Sequence, residues 1–288
     1  MLKQQIVVTG AGGQLGQTLR VLAVSEKEYD FVFLDRQQLP IENFEATKKY
    51  FESARPAFCI NCAAYTAVDR AEQEKELAFL INADAVAWLA SACHQSGTRL
   101  IHISTDYVFD GRSGAALKET DPTTPLNQYG ASKLKGEQAL MKNNPESIIL
   151  RTSWLYSEFG NNFVKTMVRL MREKTSISVV DDQVGSPTYA ADLGRVILQI
   201  IHSGKFIPGI YHYSNEGKAS WYQFALAIKE GIHSQCKVNP IPSSGYPTPA
   251  KRPSFSLLDK TKIKEVYQIE IPGWQTSLGI CIKNLLNR

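Results

Sequence analysis

Short apolar segments alternate with longer amphipathic ones through the first half of the chain, and this alternation restricts the possible folds more than any other feature. Five apolar segments predict strands: Gln5–Thr9, Phe31–Leu34, Phe58–Asn61, Leu100–Ile103 and Ser147–Leu150. Four segments between them have helical periodicity: Gln14–Val24, Asn43–Ala54, Glu76–Gln95 and Asn127–Lys142. Strands this apolar are typical of a parallel sheet that helices cover on both faces. We therefore predict an α/β protein with a doubly wound parallel sheet.

The alternation becomes less regular after about residue 155. The later elements that we predict are four helices and one strand: Asn162–Glu173, Ala190–His202, Trp221–Ile232 and about Thr276–Leu286 as helices, and Ile210–Tyr213 as a strand. We interpret residues 1–155 as the domain that forms the sheet, with parts of about 177–215 added to it. Residues 156–288 then form mainly a smaller, interleaved C-terminal lobe that binds the substrate.

The composition is that of an ordinary globular protein, since 43% hydrophobic and 21% charged residues exclude a largely disordered chain. The 32 basic and 28 acidic residues are spread along the chain, so the net charge of +4 does not indicate nucleic-acid binding. No run of 18 apolar residues and no signal-peptide pattern occurs in the sequence. We therefore expect a cytoplasmic protein without a membrane partner.

Cysteine and histidine show neither a disulfide framework nor the spacing of a metal site. Cys59 and Cys62 form a CxxC sequence, but it lies in a predicted strand, whereas a redox CxxC normally opens a helix. Core packing is therefore the favoured role of these two thiols. The five histidines have no ligand spacing among themselves or with cysteine, so we predict no metal.

The first candidate site is the glycine-rich sequence Gly10-Ala11-Gly12-Gly13-Gln14-Leu15-Gly16, which follows a strand and opens a helix. Glycine lets the backbone turn sharply and approach a phosphate, and the helix N-terminus offers free N–H groups to it. This context favours a dinucleotide site of the Rossmann type over a purely structural turn. Asp35 ends the second strand, where its carboxylate can bind an adenosine ribose, although it can also be a turn residue. Arg36 could receive a 2′-phosphate.

The second candidate site combines Tyr129, Lys133 and Thr105. Tyr129 and Lys133 are four residues apart in a predicted helix and so share one face of it. An ammonium close to a phenol favours the phenolate and lowers the phenol pKa, which suits proton transfer. Thr105 follows the fourth strand, at the sheet edge where such folds bind ligands, and can donate to a carbonyl oxygen. A chance Tyr-x-x-x-Lys pair and a Ser/Thr/Asp turn are the structural alternatives.

Together, these segments resemble the extended short-chain dehydrogenase/reductase family, and within it the branch of dTDP-4-dehydrorhamnose reductases. The segments that carry the resemblance occur in the same order as in that branch: 61–69, 104–111, 129–133, 151–156, 160–167, 182–188 and 246–253. The resemblance extends from Ile6 to about Trp274. It implies reduction of the C4 ketone of dTDP-4-dehydro-β-L-rhamnose to dTDP-L-rhamnose by NADPH or NADH, the last step of dTDP-rhamnose biosynthesis.

The resemblance also implies a role for individual residues. Tyr129 is the general acid, Lys133 tunes Tyr129 and holds the cofactor ribose, and Thr105 polarises the ketone. The implied cofactor-binding positions are Gly10, Gly13, Gln14, Leu15, Gly16, Asp35, Arg36, Ala63, Ala64, Tyr65, Thr66, Tyr129 and Lys133. The implied substrate-binding positions are Thr105, Asp106, Tyr107 and Trp154. We add Arg252 as a candidate partner for the diphosphate, because a guanidinium matches phosphate oxygens in pairs. Core packing for Trp154 and an ordinary surface role for Arg252 are the alternatives.

The chain departs from this branch at two kinds of position. Some relatives have glutamates near positions 18 and 191 that hold a magnesium ion between two subunits, whereas this chain has Thr18 and Ala191. We therefore expect a monomer, or a dimer that does not depend on metal. An aspartate that many relatives carry near the adenosine is also missing from Leu39-Pro40-Ile41-Glu42, which leaves the detailed adenosine contacts open.

Two other functions fit the same motifs. A non-catalytic relative of this fold binds the dinucleotide as a regulatory subunit of methionine adenosyltransferase. Alternatively, the chain reduces or epimerises another nucleotide sugar.

Overall fold

Six parallel strands form the central sheet of the computed structural model, which describes residues 3–287. In their order across the sheet they are β2 (Tyr29–Leu34), β1 (Gln4–Thr9), β3 (Phe58–Asn61), β4 (Arg99–Thr105), β5 (Ile148–Thr152) and β10 (Gly209–His212). Every neighbouring pair is parallel. The predicted fold class is therefore confirmed.

Helices cover both faces of this sheet because successive side chains of a strand point to opposite faces. The helices are α1 (Gln14–Leu22), α2 (Phe44–Ala54), α3 (Lys75–Phe79), α4 (Ala85–Ser96), α5 (Gln128–Asn143), α6 (Phe163–Glu173), α7 (Ala190–His202), α8 (Trp221–Gly231), α9 (Thr261–Tyr267) and α10 (Trp274–Leu286). Ile6 and Val8 of β1 pack in one core with residues of α1 and α7. Val7 packs on the other face with residues of α2, α4 and α5.

The second half of the chain contributes both to this sheet and to a separate core. Strand β10 extends the sheet beside β5, and α7 lies against α1. A different core joins α6, α8 and α10 to short strand pairs. The short strands are β6 (Leu155–Tyr156), β7 (Ser176–Val180), β8 (Val184–Gly185), β9 (Thr188–Tyr189), β11 (Ala219–Ser220) and β12 (Lys237–Ile241).

The predicted helix Glu76–Gln95 differs from the observed structure, because a π-helical turn at Leu80–Asp84 separates α3 from α4. Asn82 lies in this turn and is fully buried. Its side chain accepts from the backbone N–H of Tyr65 and donates to the Tyr65 carbonyl and the Ser132 hydroxyl. These contacts come from distant parts of the chain, so periodicity alone does not reveal the turn.

The helical stretch Lys75–Ser96 is also long and apolar enough to cross a membrane by the measures of length and composition. An 18-residue window in it has a mean hydropathy of 1.4, although charged residues interrupt its apolar run. However, 56% of that window is buried inside the molecule, which is typical of a core helix. We therefore assign this stretch to the core of the fold.

The chain order of the strands reverses at β1, which has β2 on one side and β3 on the other. The connections that leave the carboxyl ends of β1 and β3 therefore run in opposite directions across the sheet. A crevice forms at such a point in open parallel sheets, and ligands bind there.

Candidate active site

A cleft of about 960 Å³ lies at the carboxyl edge of the sheet, where this crevice is expected. Most of the residues singled out in the sequence line it: Gly10, Gly13, Gln14, Leu15, Asp35, Arg36, Ala63, Ala64, Thr66, Thr105, Asp106, Tyr107, Tyr129, Lys133 and Trp154. The fold therefore brings together segments that are more than 100 residues apart in the chain.

The glycine-rich turn at one end of the cleft has the shape that a pyrophosphate requires. Gly10 has a φ of +64°, and a Cβ there would lie 2.5 Å from the backbone nitrogen of Ala63. Gly13 caps α1 without a side-chain hydrogen bond, and no acidic residue lies in the first turn. The first N–H groups of α1 therefore remain available for an anion. The geometry of this turn therefore fits the pyrophosphate of a dinucleotide.

Asp35 and Arg36 lie at the adenosine end expected for such a dinucleotide. The Asp35 carboxylate accepts from the backbone N–H groups of Gln37 and Gln38 at 2.9 and 3.0 Å, so it also shapes the turn after β2. The Arg36 guanidinium pairs with Glu42 at 2.6 Å, and Glu42 lines the cleft as well. Sequence reasoning did not identify Glu42 as a partner of Arg36.

Tyr129 and Thr105 line the cleft together, and the Thr105 side chain acts to lower the pKa of the Tyr129 phenol. Asn127 caps α5 by accepting from the Gly130 N–H at 2.8 Å, and this sets where the first turn of the helix begins. Burial raises the pKa of the Tyr129 phenol to about 12. The phenol therefore stays protonated at neutral pH, as a proton donor must.

Lys133 is almost fully buried beside Tyr129, with 2% of its surface exposed. Its ammonium was expected to lower the Tyr129 pKa, but burial raises that pKa, and Lys133 is not among the groups that shift it. The Lys133 amine donates instead to the Ile103 carbonyl at 2.7 Å and contacts His102 Nε2 at 3.2 Å. Burial lowers the pKa of Lys133 to about 8. Lys133 is therefore held against β4 in this structure.

A buried ion pair fixes α5 relative to the sheet below Lys133. Arg151 of β5 and Glu137 of α5 are each 3% exposed in their side chains and lie 2.7 Å apart. Glu137 also accepts from the Ser104 hydroxyl at 2.5 Å. Removing one partner would leave the other charge buried and unpaired, so the pair resists sliding of α5 along the sheet.

Asp106 and Trp154 lie at the other end of the cleft, where the sequence places the substrate. Thr105 donates to Asp106 at 3.1 Å, and burial raises the pKa of the Asp106 carboxyl to about 6. The Trp154 ring stacks on Trp221, with centroids 3.5 Å apart and planes at 7°. Trp154 has a φ of +49°, an unusual conformation for a bulky residue. Both indoles line the cleft, so Trp154 is not confined to the core.

Gln14 connects the glycine-rich turn to the second half of the chain. Its Oε1 accepts from Ser157 Oγ at 3.0 Å and from Asn162 Nδ2 at 2.9 Å. Its Nε2 donates to the Leu155 carbonyl at 3.4 Å. The start of α1 and the start of α6 are thereby fixed relative to one another across the cleft.

Three predicted site residues lie outside the cleft lining. A Cβ on Gly16 would lie 2.6 Å from the Cα of Ala11, so this glycine allows α1 to pack on the turn. The Tyr65 hydroxyl donates to Glu74 at 2.6 Å. The Arg252 guanidinium binds Asp69 with both terminal nitrogens, at 3.0 and 2.8 Å. The proposed diphosphate contact of Arg252 therefore competes with an ion pair inside the protein.

Sequence reasoning missed Trp221, Glu42 and His102. Trp221 is the first residue of α8, and no local motif links it to the cleft. His102 left a signal, because it is the one polar residue in the apolar run Leu100-Ile101-His102-Ile103. A polar side chain in the middle of a buried strand needs a hydrogen-bonding partner, and in the structure His102 is fully buried.

The cysteines occupy different environments, although the sequence predicted core packing for the CxxC pair. Cys59 of β3 is fully buried in the core, as expected. Cys62 follows the end of the strand and lines the cleft. Burial raises the pKa of the Cys62 thiol, which keeps it protonated and unreactive.

Comparisons with known proteins agree along the whole chain. A family model described as RmlD substrate binding domain matches residues 4–287. A dTDP-4-dehydrorhamnose reductase of Aggregatibacter actinomycetemcomitans is 43% identical over 284 residues, which cover 95% of this chain and 97% of the relative. A dTDP-4-dehydrorhamnose reductase of Burkholderia thailandensis is 38% identical over 99% of this chain and 100% of the relative.

Solved structures give the same result. A dTDP-4-dehydrorhamnose reductase of Clostridium acetobutylicum has a TM-score of 0.94 and 40% identity, with 98% of this chain and 99% of that chain covered. The reductase of Bacillus anthracis, solved in complex with NADP, also has a TM-score of 0.94, at 39% identity over 98% and 100% of the chains. A Thermus thermophilus UDP-glucose 4-epimerase shares the fold alone, at 20% identity. The family inferred from the motifs is thereby confirmed.

Proposed function

The chain belongs to the family described as RmlD substrate binding domain, and we propose that it reduces dTDP-4-dehydro-β-L-rhamnose to dTDP-L-rhamnose with NADPH or NADH. This is the last step of dTDP-rhamnose biosynthesis. The observation that carries the proposal is that Thr105, Tyr129 and Lys133 line the same cleft as a glycine turn that fits a pyrophosphate.

The cofactor end of the cleft is assigned to residues of β1, β2 and β3 and the loops after them. The backbone of Gly13, Gln14 and Leu15 would hold the pyrophosphate, and Asp35 the adenosine ribose. Ala63, Ala64 and Thr66 form the wall that follows β3. A reduced nicotinamide supplies a hydride to the substrate ketone when it is bound.

The catalytic residues act on the ketone oxygen, where negative charge develops as the hydride arrives at C4. Thr105 donates a hydrogen bond to that oxygen, and Tyr129 gives it a proton, so that the ketone becomes a hydroxyl group. Lys133 holds the nicotinamide ribose and stabilises the phenolate that remains on Tyr129. These roles of Thr105, Tyr129 and Lys133 require no metal ion.

The sugar and its nucleotide are assigned to Asp106, Tyr107 and Trp154. Asp106 and Tyr107 follow Thr105 directly and can bind the sugar hydroxyl groups, while the Trp154 indole offers an apolar face. Arg252 remains a candidate for the diphosphate, and the bound substrate would have to attract its guanidinium away from Asp69.

The alternative functions differ in what they require of Tyr129. A regulatory dinucleotide-binding subunit needs no general acid, whereas Thr105, Tyr129 and Lys133 are all present and lie in one cleft. A reductase or epimerase of another nucleotide sugar would keep the same three residues. The substrate therefore has to be identified by assay. The cytoplasmic location expected from the sequence is part of this proposal.

Product analysis tests the proposal directly. The purified protein is mixed with dTDP-4-dehydro-L-rhamnose and either NADH or NADPH, and the products are separated and identified. We expect dTDP-L-rhamnose, with one reduced cofactor oxidised for each sugar reduced. Cofactor binding without turnover would support the regulatory subunit. Turnover only with a different nucleotide sugar would reassign the substrate, and cofactor that stays bound through purification would favour an epimerase.

A further inference from the structure

A line of buried polar side chains runs behind the cleft from β1 to α5. Thr9 donates to Asn61 Oδ1 at 2.7 Å, Asn61 Nδ2 lies 2.9 Å from His102 Nδ1, and His102 Nε2 lies 3.2 Å from the Lys133 amine. All four residues are at most 2% exposed. Water cannot replace a missing partner here, so the donors and acceptors must match one another.

The orientation of the Asn61 amide is fixed by the backbone. The N–H of Ala63 donates to Asn61 Oδ1 at 3.1 Å, and a backbone N–H can only donate. The opposite orientation would place two donors, the amide NH₂ and the Ala63 N–H, against each other. Asn61 therefore presents its NH₂ group to His102.

This donor determines the tautomer of His102. Because Nδ1 accepts from Asn61, it carries no proton, and the proton of the neutral imidazole lies on Nε2. An imidazolium would place a second donor against the Asn61 NH₂ group. Burial also holds the pKa of His102 well below its usual value. His102 is therefore a neutral ring that presents an N–H group to Lys133.

A lysine amine can accept this hydrogen bond only when it is uncharged. The ammonium form has three donors and no lone pair, so His102 Nε2–H and an ammonium would oppose each other. The neutral amine accepts from His102 and still donates to the Ile103 carbonyl. Lys133 therefore satisfies all its partners on β4 only as the amine.

Other charged or titratable groups lie on the elements that pack around Lys133 or line the cleft with it. They are Tyr129 and Glu137 of α5, Asp106 after β4, Arg151 of β5 and Cys62 after β3. Glu137 favours the ammonium, and Glu137 is itself paired with Arg151. The Tyr129 phenol is neutral at physiological pH.

We propose that His102 is a positioning residue that favours the neutral amine of Lys133 in the cofactor-free protein, and that at alkaline pH, where the amine predominates, cofactor binding draws a proton onto Lys133. This inference rests on the proposed function, in which Lys133 donates to the nicotinamide ribose. The ammonium leaves the His102 N–H group and binds in the cleft, where its charge stabilises the Tyr129 phenolate. Cofactor binding therefore prepares the proton donor.

The tautomer of His102 can be measured without cofactor. Long-range ¹H–¹⁵N correlation spectra of histidine-labelled protein distinguish protonated from unprotonated ring nitrogens. The other four histidines are assigned by single substitutions, so His102 itself need not be changed. We expect Nε2–H and unprotonated Nδ1 near pH 9, where Lys133 is mainly the neutral amine. A proton on Nδ1, in either the neutral or the charged ring, would overturn the proposal.

Proton uptake tests the second half of the proposal. NADH is titrated into the protein by calorimetry in pairs of buffers with different ionisation enthalpies, because NADH itself does not titrate between pH 7 and 9. The Lys133 pKa of about 8 in the free protein means that the amine predominates only above that pH. We expect little proton uptake near pH 6.5 and uptake of more than about half a proton per chain near pH 9. Binding without uptake near pH 9 would overturn the proposal, whereas no NADH binding would contradict the proposed function.

A matched pair of variants isolates the hydrogen-bond direction. Asn61→Asp replaces the NH₂ group with an acceptor of the same shape, so His102 should move its proton to Nδ1 and accept from the Lys133 ammonium. Uptake near pH 9 should then fall at least threefold. Thr9→Val removes the other partner of Asn61 Oδ1 but leaves the Ala63 contact, so the tautomer and the uptake should match those of the unchanged protein. The Asn61→Asp protein could show the changed His102 tautomer and still take up as many protons near pH 9 as the unchanged protein. That result would refute the link between His102 and Lys133.

Discussion

Tyr129 is the residue whose replacement separates proton transfer from cofactor binding. Tyr129→Phe keeps the ring and its edge contact with Tyr107, with centroids 5.7 Å apart, but removes the acidic proton. We expect turnover to fall about 10²–10⁴-fold, because general acid catalysis contributes about that much. The Kd for NADPH should change less than about twofold, since the contacts to the pyrophosphate and the adenosine ribose are unaffected. Steady-state kinetics and fluorescence titration measure the two quantities.

Tyr50→Phe is the matched control for this experiment. Tyr50 lies in α2, packs against the core and does not line the cleft. Its replacement should leave turnover unchanged, which shows that loss of a partly buried tyrosine hydroxyl elsewhere has no general effect. Normal turnover in the Tyr129→Phe protein would remove Tyr129 from the mechanism.

The charge close to the 2′-phosphate of a bound NADPH would come from three side chains, those of Asp35, Arg36 and Glu42. The sequence predicts use of both coenzymes, because the Asp35 carboxylate repels that phosphate and Arg36 attracts it. In the structure Arg36 is already paired with Glu42, which reduces this attraction. Both Asp35→Ala and Glu42→Gln should therefore shift the ratio of kcat/KM toward NADPH. We expect a shift of about two- to fivefold for each, the range of an exposed charge pair.

Glu45→Gln is the control for the removal of negative charge near this end of the cleft. Glu45 is exposed in the first turn of α2 and does not line the cleft, so the coenzyme ratio should stay constant. A shift toward NADH in the Asp35→Ala protein would mean that Asp35 does not face the ribose.

The contact between α5 and the π-helical turn determines where the catalytic helix lies. A Cβ on Gly136 would overlap the carbonyl oxygen of Asn82, so α5 can approach this turn only through a glycine. Gly136→Ala should lower the free energy of unfolding by about 1–3 kcal/mol, the usual cost of overpacking a core. Because Tyr129 and Lys133 lie on the same helix, turnover should fall as well. Denaturant unfolding and kinetics measure both effects.

Gly279→Ala is the corresponding control in α10. Gly279 is exposed, and a Cβ there would meet nothing within 4 Å. This substitution should raise the free energy of unfolding by about 0.4–1 kcal/mol, because alanine restricts the unfolded chain. If Gly136→Ala is equally stabilising, α5 does not pack as closely on the turn as the structure shows.

Local signals explain which elements could be predicted from the sequence. The helix predicted over Asn127–Lys142 is observed at Gln128–Asn143, because the Asn127 cap and the periodicity after it are encoded within a few residues. The interruption at Leu80–Asp84 could not be predicted, since it depends on Tyr65 and Ser132. The glycine turn and the Tyr129 helix were found as motifs. By contrast, Trp221 reaches the cleft only because α8 packs with α6 and α10.

The position of Thr18 and Ala191 in the folded chain bears on metal dependence and assembly. Thr18 of α1 is 3% exposed and Ala191 of α7 is 8% exposed, and the two helices pack against each other. Thr18 donates to the Gln14 carbonyl at 2.8 Å, so its hydroxyl is already used within the helix. Between residues 3 and 287, no group of three or more acidic, histidine or cysteine side chains is placed to hold a metal ion.

We therefore predict that neither assembly nor activity depends on magnesium, because a magnesium bridge needs hard oxygen ligands from both chains. The molar mass from gel filtration with light scattering should be the same with and without EDTA. Turnover should also be unchanged by EDTA and by added Mg²⁺, since Tyr129 and Thr105 stabilise the developing charge on the ketone oxygen. A dimer that dissociates on chelation, loses activity and regains both with Mg²⁺ would show that other carboxylates form the bridge.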